Sequence, residues 1–329
     1  MKAIVQDRYG SPDVLELRDV EPPAASGDEV LVRVHAASVN AHDWHVMRGD
    51  PYLARLTEIG VSGPSSKIRG RDFAGSVVAV GRDVRRFRPG DEVYGDLGRA
   101  DGAFAEYVCA PEHLVEAKPA NLTFEQAAAI PLAGHTALKG LRDIGKLQAG
   151  QHVLINGASG GVGTFAVQIA KSMGATVTGV CRTRNIELVA SLGADHVIDY
   201  TETDFTKNGK HYDLVFDLVG NHSLTGLRRA LAPGGTIVLS GGGVSSGGSL
   251  VGPMGLMIRA KLQAPFVRDR LFVLTTTPNG EILAALRRLA ESGAFTPVVD
   301  RTFSLDEVPD AVRYVETEHA RAKVVITAC

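Results

Sequence analysis

Apolar and polar residues alternate along the first third of the chain at the two-residue spacing of β-strands. Turn-forming residues, such as Pro22-Pro23 and Pro89-Gly90-Asp91, separate the apolar runs. The pattern predicts short strands at residues 1–5, 15–20, 30–35, 75–80, 92–94 and 105–108. Many short strands with regular turns are typical of a small β-barrel.

Two segments interrupt this alternation. Residues 38–49 contain the only Trp of the chain and two of its ten His, and their pattern predicts a short helix at the edge of a cleft. Residues 50–69 mix Pro, Gly and Ser with scattered apolar side chains, which predicts a partly ordered excursion. Such a loop could cover a substrate.

Strand and helix patterns alternate from about residue 123 onwards, and this order predicts a parallel, doubly wound sheet. The predicted strands are 153–155, 176–181, 196–198, 214–216 and 236–239, and the predicted helices are 125–129, 136–144, 162–173, 187–192 and 224–231. An edge strand at 271–274, a helix at 281–290 and strands at 298–300 and 323–326 follow. We therefore predict an α/β protein with one domain over residues 1–122 and 278–329 and a second over residues 123–277.

The turn from Gly157 to Gly163 joins an apolar run at 153–155 to an amphipathic run. Glycines at such a turn let the backbone approach a pyrophosphate, and the N-terminus of the following helix attracts the anion. An ordinary αβ turn is the alternative, but a second β-rich run at 176–181 completes a βαβ unit. The turn therefore predicts a dinucleotide site built from Ala158, Ser159, Gly160, Gly161, Val162 and Gly163.

The end of the next predicted strand distinguishes NADPH from NADH. NAD-specific folds place an acidic residue there, whereas this chain has Arg182, Thr183 and Arg184, and its first acid is Glu187 in the next predicted helix. Two arginines and a hydroxyl can bind a 2′-phosphate by charge-assisted hydrogen bonds. The alternative is two solvated arginines at a helix start, where positive charge is unfavourable. We predict NADPH as the cofactor.

Composition and charge narrow the classes of partner. The net charge is -2 and no block of like charge occurs, so a nucleic acid is not an expected partner. No apolar run reaches membrane-spanning length, and the N-terminus lacks the apolar core of a signal peptide. Cys109, Cys181 and Cys329 are far apart and form no Cys-x-x-Cys pair. We expect a cytoplasmic protein that binds neither membranes nor nucleic acids.

Four segments carry a specific family pattern: residues 38–44, 70–75, 88–93 and 156–171. Together they resemble the medium-chain dehydrogenase/reductase superfamily, in its zinc-independent quinone oxidoreductase (zeta-crystallin-like) branch. The resemblance covers essentially the whole chain. It implies a GroES-like β-barrel domain plus a Rossmann doubly wound parallel sheet, with the active site in the cleft between them and the last strands completing the barrel domain.

The resemblance also implies further cofactor contacts and an assembly. The additional cofactor residues are Thr136 and Tyr200 near the phosphates and adenosine, Ser240 and Gly241 beside the nicotinamide ribose, and Lys323 near the C-terminus. The Gly- and Ser-rich stretch 241–252 is predicted as an irregular loop at the edge where dinucleotides bind. Relatives commonly form dimers, and the unpaired edge of a strand at 271–274 supports a homodimer.

Metal-dependent relatives differ from this chain at the positions of their metal ligands. They present Cys where this sequence has Asn40, and Gly-His-Glu where it has Gly70-Arg71-Asp72. Their structural zinc uses four Cys in a region where only Cys109 remains here. We therefore predict no metal, and we expect His35 and His42 to be solvent-facing or supporting residues.

Without a metal, the resemblance implies reduction of an acceptor that is already electrophilic, a quinone or an α,β-unsaturated carbonyl compound. Asn40 is predicted to donate a hydrogen bond to the acceptor's oxygen, with a loop-capping role as the alternative. His45 and Tyr52 are the candidate proton donors, with surface or packing roles as alternatives. Two other functions compete: an NADP-dependent alcohol dehydrogenase or aldehyde reductase, and a crystallin-like cofactor-binding protein with little turnover.

Overall fold

The protein is described here from a computed structural model, which covers residues 1–61, 63–241, 252, 254–267, 269–317 and 320–328. Nearly all of the predicted Gly/Ser loop at 241–252 therefore lies outside the described residues. The chain divides into two compact units. The first unit comprises Met1–His135 and Thr277–Cys329, and the second comprises Thr136–Thr276.

The helices and strands are numbered in chain order. The strands are β1 (Lys2–Gln6), β2 (Leu15–Asp19), β3 (Glu29–Val39), β4 (Asp72–Val80), β5 (Glu92–Asp96), β6 (Tyr107–Pro111), β7 (Val115–Ala117), β8 (His152–Asn156), β9 (Thr176–Cys181), β10 (His196–Asp199), β11 (Tyr212–Asp217), β12 (Leu231–Leu239), β13 (Arg270–Val273), β14 (Val299–Ser304) and β15 (Lys323–Thr327). The helices are α1 (Ala41–Arg48), α2 (Tyr52–Ala54), α3 (Phe124–Ala128), α4 (Pro131–Leu138), α5 (Gly161–Ser172), α6 (Ile186–Ser191), α7 (Leu224–Arg229), α8 (Met254–Gln263), α9 (Gly280–Glu291) and α10 (Val308–Thr317).

The first unit is built on a 7-stranded sheet in the order β14-β15-β3-β4-β5-β7, with β6 also pairing β3. The long strand β3 is its centre, since it pairs with β15, β4 and β6. Val30, Val32 and Val34 alternate along β3 and are fully buried, as expected for a strand with one face on a core. The β1–β2 ribbon completes this unit, which has the predicted GroES-like fold.

The second unit contains a 6-stranded sheet in the order β10-β9-β8-β11-β12-β13. Every pairing in it is parallel. The prediction of a doubly wound Rossmann sheet is therefore confirmed. The first strand of the unit, β8, lies between β9 and β11, so the strand order reverses beside it. In open α/β sheets this switch point is where dinucleotides bind, at the carboxyl ends of the strands.

Several elements differ from their predicted bounds. The first unit extends to His135 rather than residue 122, because α3 packs on β3 and β4. Pro131 begins α4 instead of interrupting a helix, since proline suits the first helical position. The predicted helix at 38–49 begins only at Ala41, because β3 runs to Val39. No prediction was made for α8, α10 or β7.

Candidate functional site

The glycine turn after β8 is tied to β9 by its backbone. The amides of Gly157 and Ala158 both donate to the Val180 carbonyl oxygen, at 3.1 and 3.0 Å. Gly157 has a φ of +88°, which favours glycine at this position. Gly160 is the N-cap of the 12-residue helix α5, so the unpaired N–H groups of the first helical turn face the end of the strand. This is the arrangement that binds a phosphate.

Burial divides the predicted cofactor residues of this turn into two groups. Ala158 and Gly163 are buried, whereas Ser159, Gly160, Gly161 and Val162 are partly exposed. A Cβ atom on Gly163 would lie 2.1 Å from the Gly157 carbonyl oxygen, so this glycine lets the turn and the helix approach each other. The buried pair therefore shapes the turn, and the partly exposed residues are the ones that can meet a ligand.

Cationic side chains follow the end of β9. Arg182 and Arg184 are both exposed, and Arg182 has no ion-pair partner in the described part of the chain. Tyr200 is 50% exposed and its amide donates to the Cys181 carbonyl oxygen at 3.1 Å. These three residues thus lie beside one strand end, and two of them carry the charge that a 2′-phosphate requires.

An acidic residue at this strand end was missed in the sequence. Asp199, at the end of β10, is paired in register with Cys181. The hydroxyl groups of Thr183 and Thr201 hydrogen-bond to Asp199 and lower the pKa of its carboxyl group. The Thr183 hydroxyl group therefore points to Asp199. This contact argues against the predicted role of Thr183, which was to donate a hydrogen bond to the 2′-phosphate. The Thr201 amide and hydroxyl group donate to Asp199 Oδ1, whereas Oδ2 has no hydrogen-bond partner in the described residues. At this strand end, Arg182 and Arg184 carry the positive charge that a phosphate requires.

A buried network fixes the neighbouring strand ends. Asn156, the last residue of β8, donates through Nδ2 to Asp217 Oδ1 at 2.8 Å. The same carboxylate oxygen accepts from the amides of Val219 and Gly220 at 3.1 and 3.0 Å. Neither residue was predicted, because four numbered elements, α5, β9, α6 and β10, separate Asn156 from Asp217 in the sequence. It holds the β11 loop at the edge where the glycine turn lies.

The remaining predicted cofactor residues have clear positions but no tested role. Thr136 is buried in α4, and Ser240 follows β12, where its amide donates to the Asp217 carbonyl oxygen at 3.0 Å. Gly241 has a φ of +81°. Taken with the glycine turn and the two exposed arginines, the second unit fits a dinucleotide that carries a 2′-phosphate.

In the first unit, Asn40 is buried and its side-chain amide forms hydrogen bonds with protein partners on both of its atoms, Oδ1 and Nδ2. Its Oδ1 accepts from Lys323 Nζ at 2.6 Å, and its Nδ2 donates to Asp72 Oδ2 at 3.0 Å and to the Ser38 carbonyl oxygen at 3.4 Å. The prediction that Asn40 donates to an acceptor's oxygen is therefore not supported, because both amide protons point to protein oxygens. Lys323, predicted near the cofactor, is likewise engaged in this network.

Arg71 stands at the other position where metal-dependent relatives present a ligand, and it is also bound to a protein partner. Arg71 makes two hydrogen bonds to Asp96, from Nε to Oδ1 at 3.0 Å and from Nη2 to Oδ2 at 2.8 Å. Both side chains are buried. A second buried pair, Arg69 with Asp101, lies at 2.9 Å. A guanidinium group held this way cannot ligate a metal ion. Within the described ranges, no group of three or more His, Cys, Asp and Glu side chains is arranged to hold one.

His45 has a geometry that is unfavourable for proton donation at neutral pH. Its Nδ1 lies 3.1 Å from the Asp50 carbonyl oxygen, so Nδ1 carries the proton of the neutral ring and that proton is already shared. The ring also stacks on Trp44, with centroids 3.6 Å apart. Burial lowers the pKa of His45, which disfavours the imidazolium form that could release a proton from Nε2.

Tyr52 lies at the start of α2 and is 44% exposed. The Arg55 guanidinium stacks between Tyr52 and Tyr9, at 4.6 and 4.4 Å from the ring centroids. Its hydroxyl group has no hydrogen-bond partner among the residues that the structure describes. Tyr52 therefore stays a candidate donor, on a ring whose position is fixed by a cation–π contact.

His42 is a candidate that the sequence did not single out. It lies in the first turn of α1, is partly buried rather than solvent-facing, and has no hydrogen-bond partner in the described segments. Burial, together with the charges of Arg71 and Arg69, lowers the pKa of His42 to about 3. The ring is therefore neutral near pH 7 and keeps one N–H donor. Only the position of Arg71 beside it in the fold reveals this environment.

The pKa of His42 makes a prediction about stability. The unfolded chain binds a proton at His42 below about pH 6.5, whereas the folded chain does so only near pH 3. Stability contributed by neutral His42 is thus complete above pH 6.5 and is lost as pH falls, at about 1.4 kcal/mol per pH unit. We expect His42→Asn to lose less unfolding free energy than the parent between pH 7 and pH 4.5. Urea unfolding measures this, with His113→Asn, at an exposed position, as the control.

Two family models match the chain. The model described as "Alcohol dehydrogenase GroES-like domain" matches residues 26–120. The model described as "Zinc-binding dehydrogenase" matches residues 192–326. The first match lies within the first unit, and the second covers much of the second unit together with the returning C-terminal elements.

Individual relatives are similar over the whole chain. A 2-methylene-furan-3-one reductase of Solanum lycopersicum is 37% identical over 99% of this chain and 79% of its own length. An NADPH-dependent alkenal/one oxidoreductase, chloroplastic, of Arabidopsis thaliana is 35% identical over the same shares. Among solved structures, the quinone oxidoreductase of Coxiella burnetii has a TM-score of 0.85 and 34% identity, covering 100% of this chain and 99% of its own.

Proposed function

We propose that this protein, which belongs to the quinone oxidoreductase branch of the medium-chain dehydrogenase/reductase superfamily, reduces quinones or α,β-unsaturated carbonyl compounds with NADPH. The similar proteins of tomato, Arabidopsis and Coxiella are named for reductions of this kind. The substrate is thus a small molecule. The physical support comes from the two polar sites described above.

The cofactor site of the second unit suits NADPH. The partly exposed turn residues and the first turn of α5 would hold the pyrophosphate, while Arg182 and Arg184 would hold the 2′-phosphate. Bound NADPH supplies a hydride from C4 of its nicotinamide. The chain's own contribution at this site is to bind NADPH and to orient its nicotinamide, through a turn whose backbone is hydrogen-bonded to β9.

The contacts of Asn40 and Arg71 with protein partners are the single observation that best supports an acceptor reduced without a metal. Metal-dependent relatives have ligands at these positions, and here a lysine ammonium lies 2.6 Å from the Asn40 oxygen and a carboxylate holds Arg71. An amide and a guanidinium group are poor ligands for Zn²⁺, and an adjacent ammonium repels any divalent cation. An acceptor that is already electrophilic needs no such Lewis acid.

The acceptor's reduction leaves a negative oxygen that must be stabilised and protonated. Asn40 and His45 already donate to protein oxygens. Of the candidates named above, Tyr52 and His42 are the two that have no hydrogen-bond partner among the described residues. The Tyr52 hydroxyl can donate a hydrogen bond, and neutral His42 can donate one beside the positive charges of Arg71 and Arg69. We assign these two side chains to the acceptor's oxygen, in place of Asn40 and His45.

An acceptor panel tests the proposed function. NADPH consumption is followed with several quinones, enones and saturated aldehydes, and NADP⁺ reduction is followed with alcohols in parallel. We expect turnover with quinones or enones and little with saturated aldehydes or alcohols. Faster turnover of alcohols would favour the alcohol dehydrogenase alternative, and no turnover with any acceptor would favour a cofactor-binding protein.

Metal content gives a second, independent prediction. The protein purified without added metal should carry far less than one zinc per chain, and its rate of enone or quinone reduction should not change in the presence of a chelator. Elemental analysis and a chelation assay measure both quantities. Stoichiometric zinc together with loss of activity on chelation would contradict zinc independence.

The edge of the second unit's sheet predicts a homodimer. β13 is the last strand in the order and pairs with β12 on one side, and its Phe272 is 42% exposed. Two such edges can pair about a two-fold axis. We expect a dimeric mass by light scattering at micromolar concentration, and a shift towards monomer in Phe272→Lys because a charge disfavours edge pairing. A monomeric parent would refute this assembly.

The expected location is the cytoplasm. No helix in the described ranges is long and apolar enough to cross a membrane. Cys109 and Cys181 are free thiols whose pKa values are raised by burial to about 11. Free thiols are typical of reducing compartments, and cell fractionation tests the assignment.

A further inference from the structure

Three strand ends meet at one end of the first unit's sheet. Lys323 begins β15, Val39 ends β3 and Asp72 begins β4. The register pairs Val324 with Val39 and Ser38 with Asp72, so the three strands lie side by side. Antiparallel pairing on both sides of β3 therefore brings a cation and an anion to the junction between β3 and α1.

The Lys323 side chain contacts this junction directly. Its Nζ donates to Asn40 Oδ1 at 2.6 Å and to the Val39 carbonyl oxygen at 3.2 Å, and lies 3.9 Å from Asp72 Oδ2. Only 2% of the Lys323 side chain is exposed. Burial lowers the pKa of Lys323, and the Asp72 carboxylate opposes that effect. Oxygen partners thus surround an ammonium group that water does not reach.

Asp72 holds the junction from the other side. Its carboxylate accepts from Asn40 Nδ2 at 3.0 Å, from Ser38 Oγ at 3.3 Å and from the Leu132 amide at 3.2 Å. The two charges therefore determine how the Asn40 amide points, with Oδ1 towards the ammonium and Nδ2 towards the carboxylate. In the opposite orientation the Asn40 Nδ2 group would face the Lys323 ammonium, which is also a donor, and Oδ1 would face the Asp72 carboxylate, which is also an acceptor.

We propose that Lys323 is a positioning residue for the reductase reaction: its buried ammonium fixes Asn40, the N-cap of α1, at the position where metal-dependent relatives present a Cys. The helix that starts at this N-cap carries His42, whose donor group we assigned to the acceptor's oxygen. A displacement of about 1 Å in such a segment costs about 100-fold in rate. This inference rests on the proposed function, and it differs from the predicted cofactor contact of Lys323.

Three variants separate positioning from stability and from cofactor binding. Lys323→Met removes the cation, and Lys323→Met with Asp72→Asn removes both charges, so no uncompensated carboxylate is left buried. Lys118→Met is the matched control: the Lys118 side chain is 7% exposed, donates to the Leu122 carbonyl oxygen at 2.6 Å and pairs with Glu92 at 3.2 Å. The measurements are kcat and KM with one quinone and one enone, the Kd of NADPH by fluorescence titration, and thermal unfolding.

We expect Lys323→Met to lower kcat by about 100-fold and to change the Kd of NADPH by no more than a few-fold. The double variant should recover thermal stability without recovering kcat, and Lys118→Met should keep the parent's kcat. If the single variant does not fold, the double variant is judged by the same criteria.

Four outcomes would overturn the inference in an active parent enzyme. The first is an unchanged kcat in the folded Lys323→Met variant, and the second is recovery of kcat in the double variant. The third is an equal loss of kcat in Lys118→Met. The fourth is a raised Kd of NADPH with an unchanged kcat in Lys323→Met, which would make Lys323 a cofactor ligand. A parent that reduces neither acceptor class would instead reject the proposed function itself.

Discussion

Gly163→Ala is expected to abolish tight NADPH binding. The new Cβ atom would lie 2.1 Å from the Gly157 carbonyl oxygen and 2.7 Å from Ala158 backbone atoms. Backbone atoms cannot move aside as a flexible side chain can, so the turn and α5 must separate. A displaced turn presents fewer backbone amides to the pyrophosphate, and each hydrogen bond to a charged group contributes about 1.5–3 kcal/mol. The loss of two such bonds raises the Kd of NADPH by about 100-fold or more. Fluorescence titration measures it.

Gly160→Ala is the matched control for this prediction. A Cβ atom there would lie 3.4 Å from the nearest atom, the Gly157 carbonyl oxygen, so the fold can accommodate it. We expect a melting temperature near the parent's and a weaker NADPH affinity, since Gly160 is partly exposed at the N-cap of α5. Parent-like affinity in Gly163→Ala would show that the turn does not bind the cofactor.

Replacing both Arg182 and Arg184 by Ala is expected to remove the preference for NADPH. Charge-assisted hydrogen bonds contribute about 1.5–3 kcal/mol each, so losing two costs at least about 100-fold in kcat/KM for NADPH. The value for NADH should stay within a few-fold, because its ribose carries no phosphate. Both cofactors are measured with the same acceptor.

The control for the double variant is Arg229→Ala, which removes an exposed arginine from α7 in the same unit. It should leave the cofactor preference unchanged. Equal use of NADH by the parent, or an unchanged NADPH preference in the double variant, would contradict the role of the two arginines. In either case Asp199, beside the same strand end, would become the group to test next.

Local patterns carried most of the fold prediction. The β9 strand was predicted with its observed bounds, because a β-branched run between a glycine and an arginine pair has clear ends. The glycine turn was recognisable because one short motif, residues 157–163, contains both the glycines that let the backbone approach a phosphate and the start of helix α5. The helix α10 was not predicted, although its buried residues Val308, Ala311 and Val312 have helical spacing, because Pro309 and the short strands around it masked the pattern.

The polar sites depend on pairings that no local pattern contains. Lys323 and Asn40 are 283 positions apart, and only the antiparallel register of β15 on β3 brings them together. The sequence therefore suggested that the Asn40 amide is available to a substrate, whereas in the structure it is hydrogen-bonded to Lys323 and Asp72. Asp199 was missed for the same reason, since it reaches the end of β9 from a neighbouring strand. Residue type indicated the chemistry, and strand pairing determined which groups are available for it.

The most direct measurement of the central claim is the fate of a labelled hydride in metal-stripped protein. NADPH carrying deuterium on each face of C4 in turn is reacted with a simple enone in the presence of a chelator, and the product is analysed by mass spectrometry and NMR. The account predicts a saturated ketone with one deuterium at the β-carbon from one of the two labelled cofactors. An allylic alcohol, or turnover that returns only when zinc is added, would contradict it.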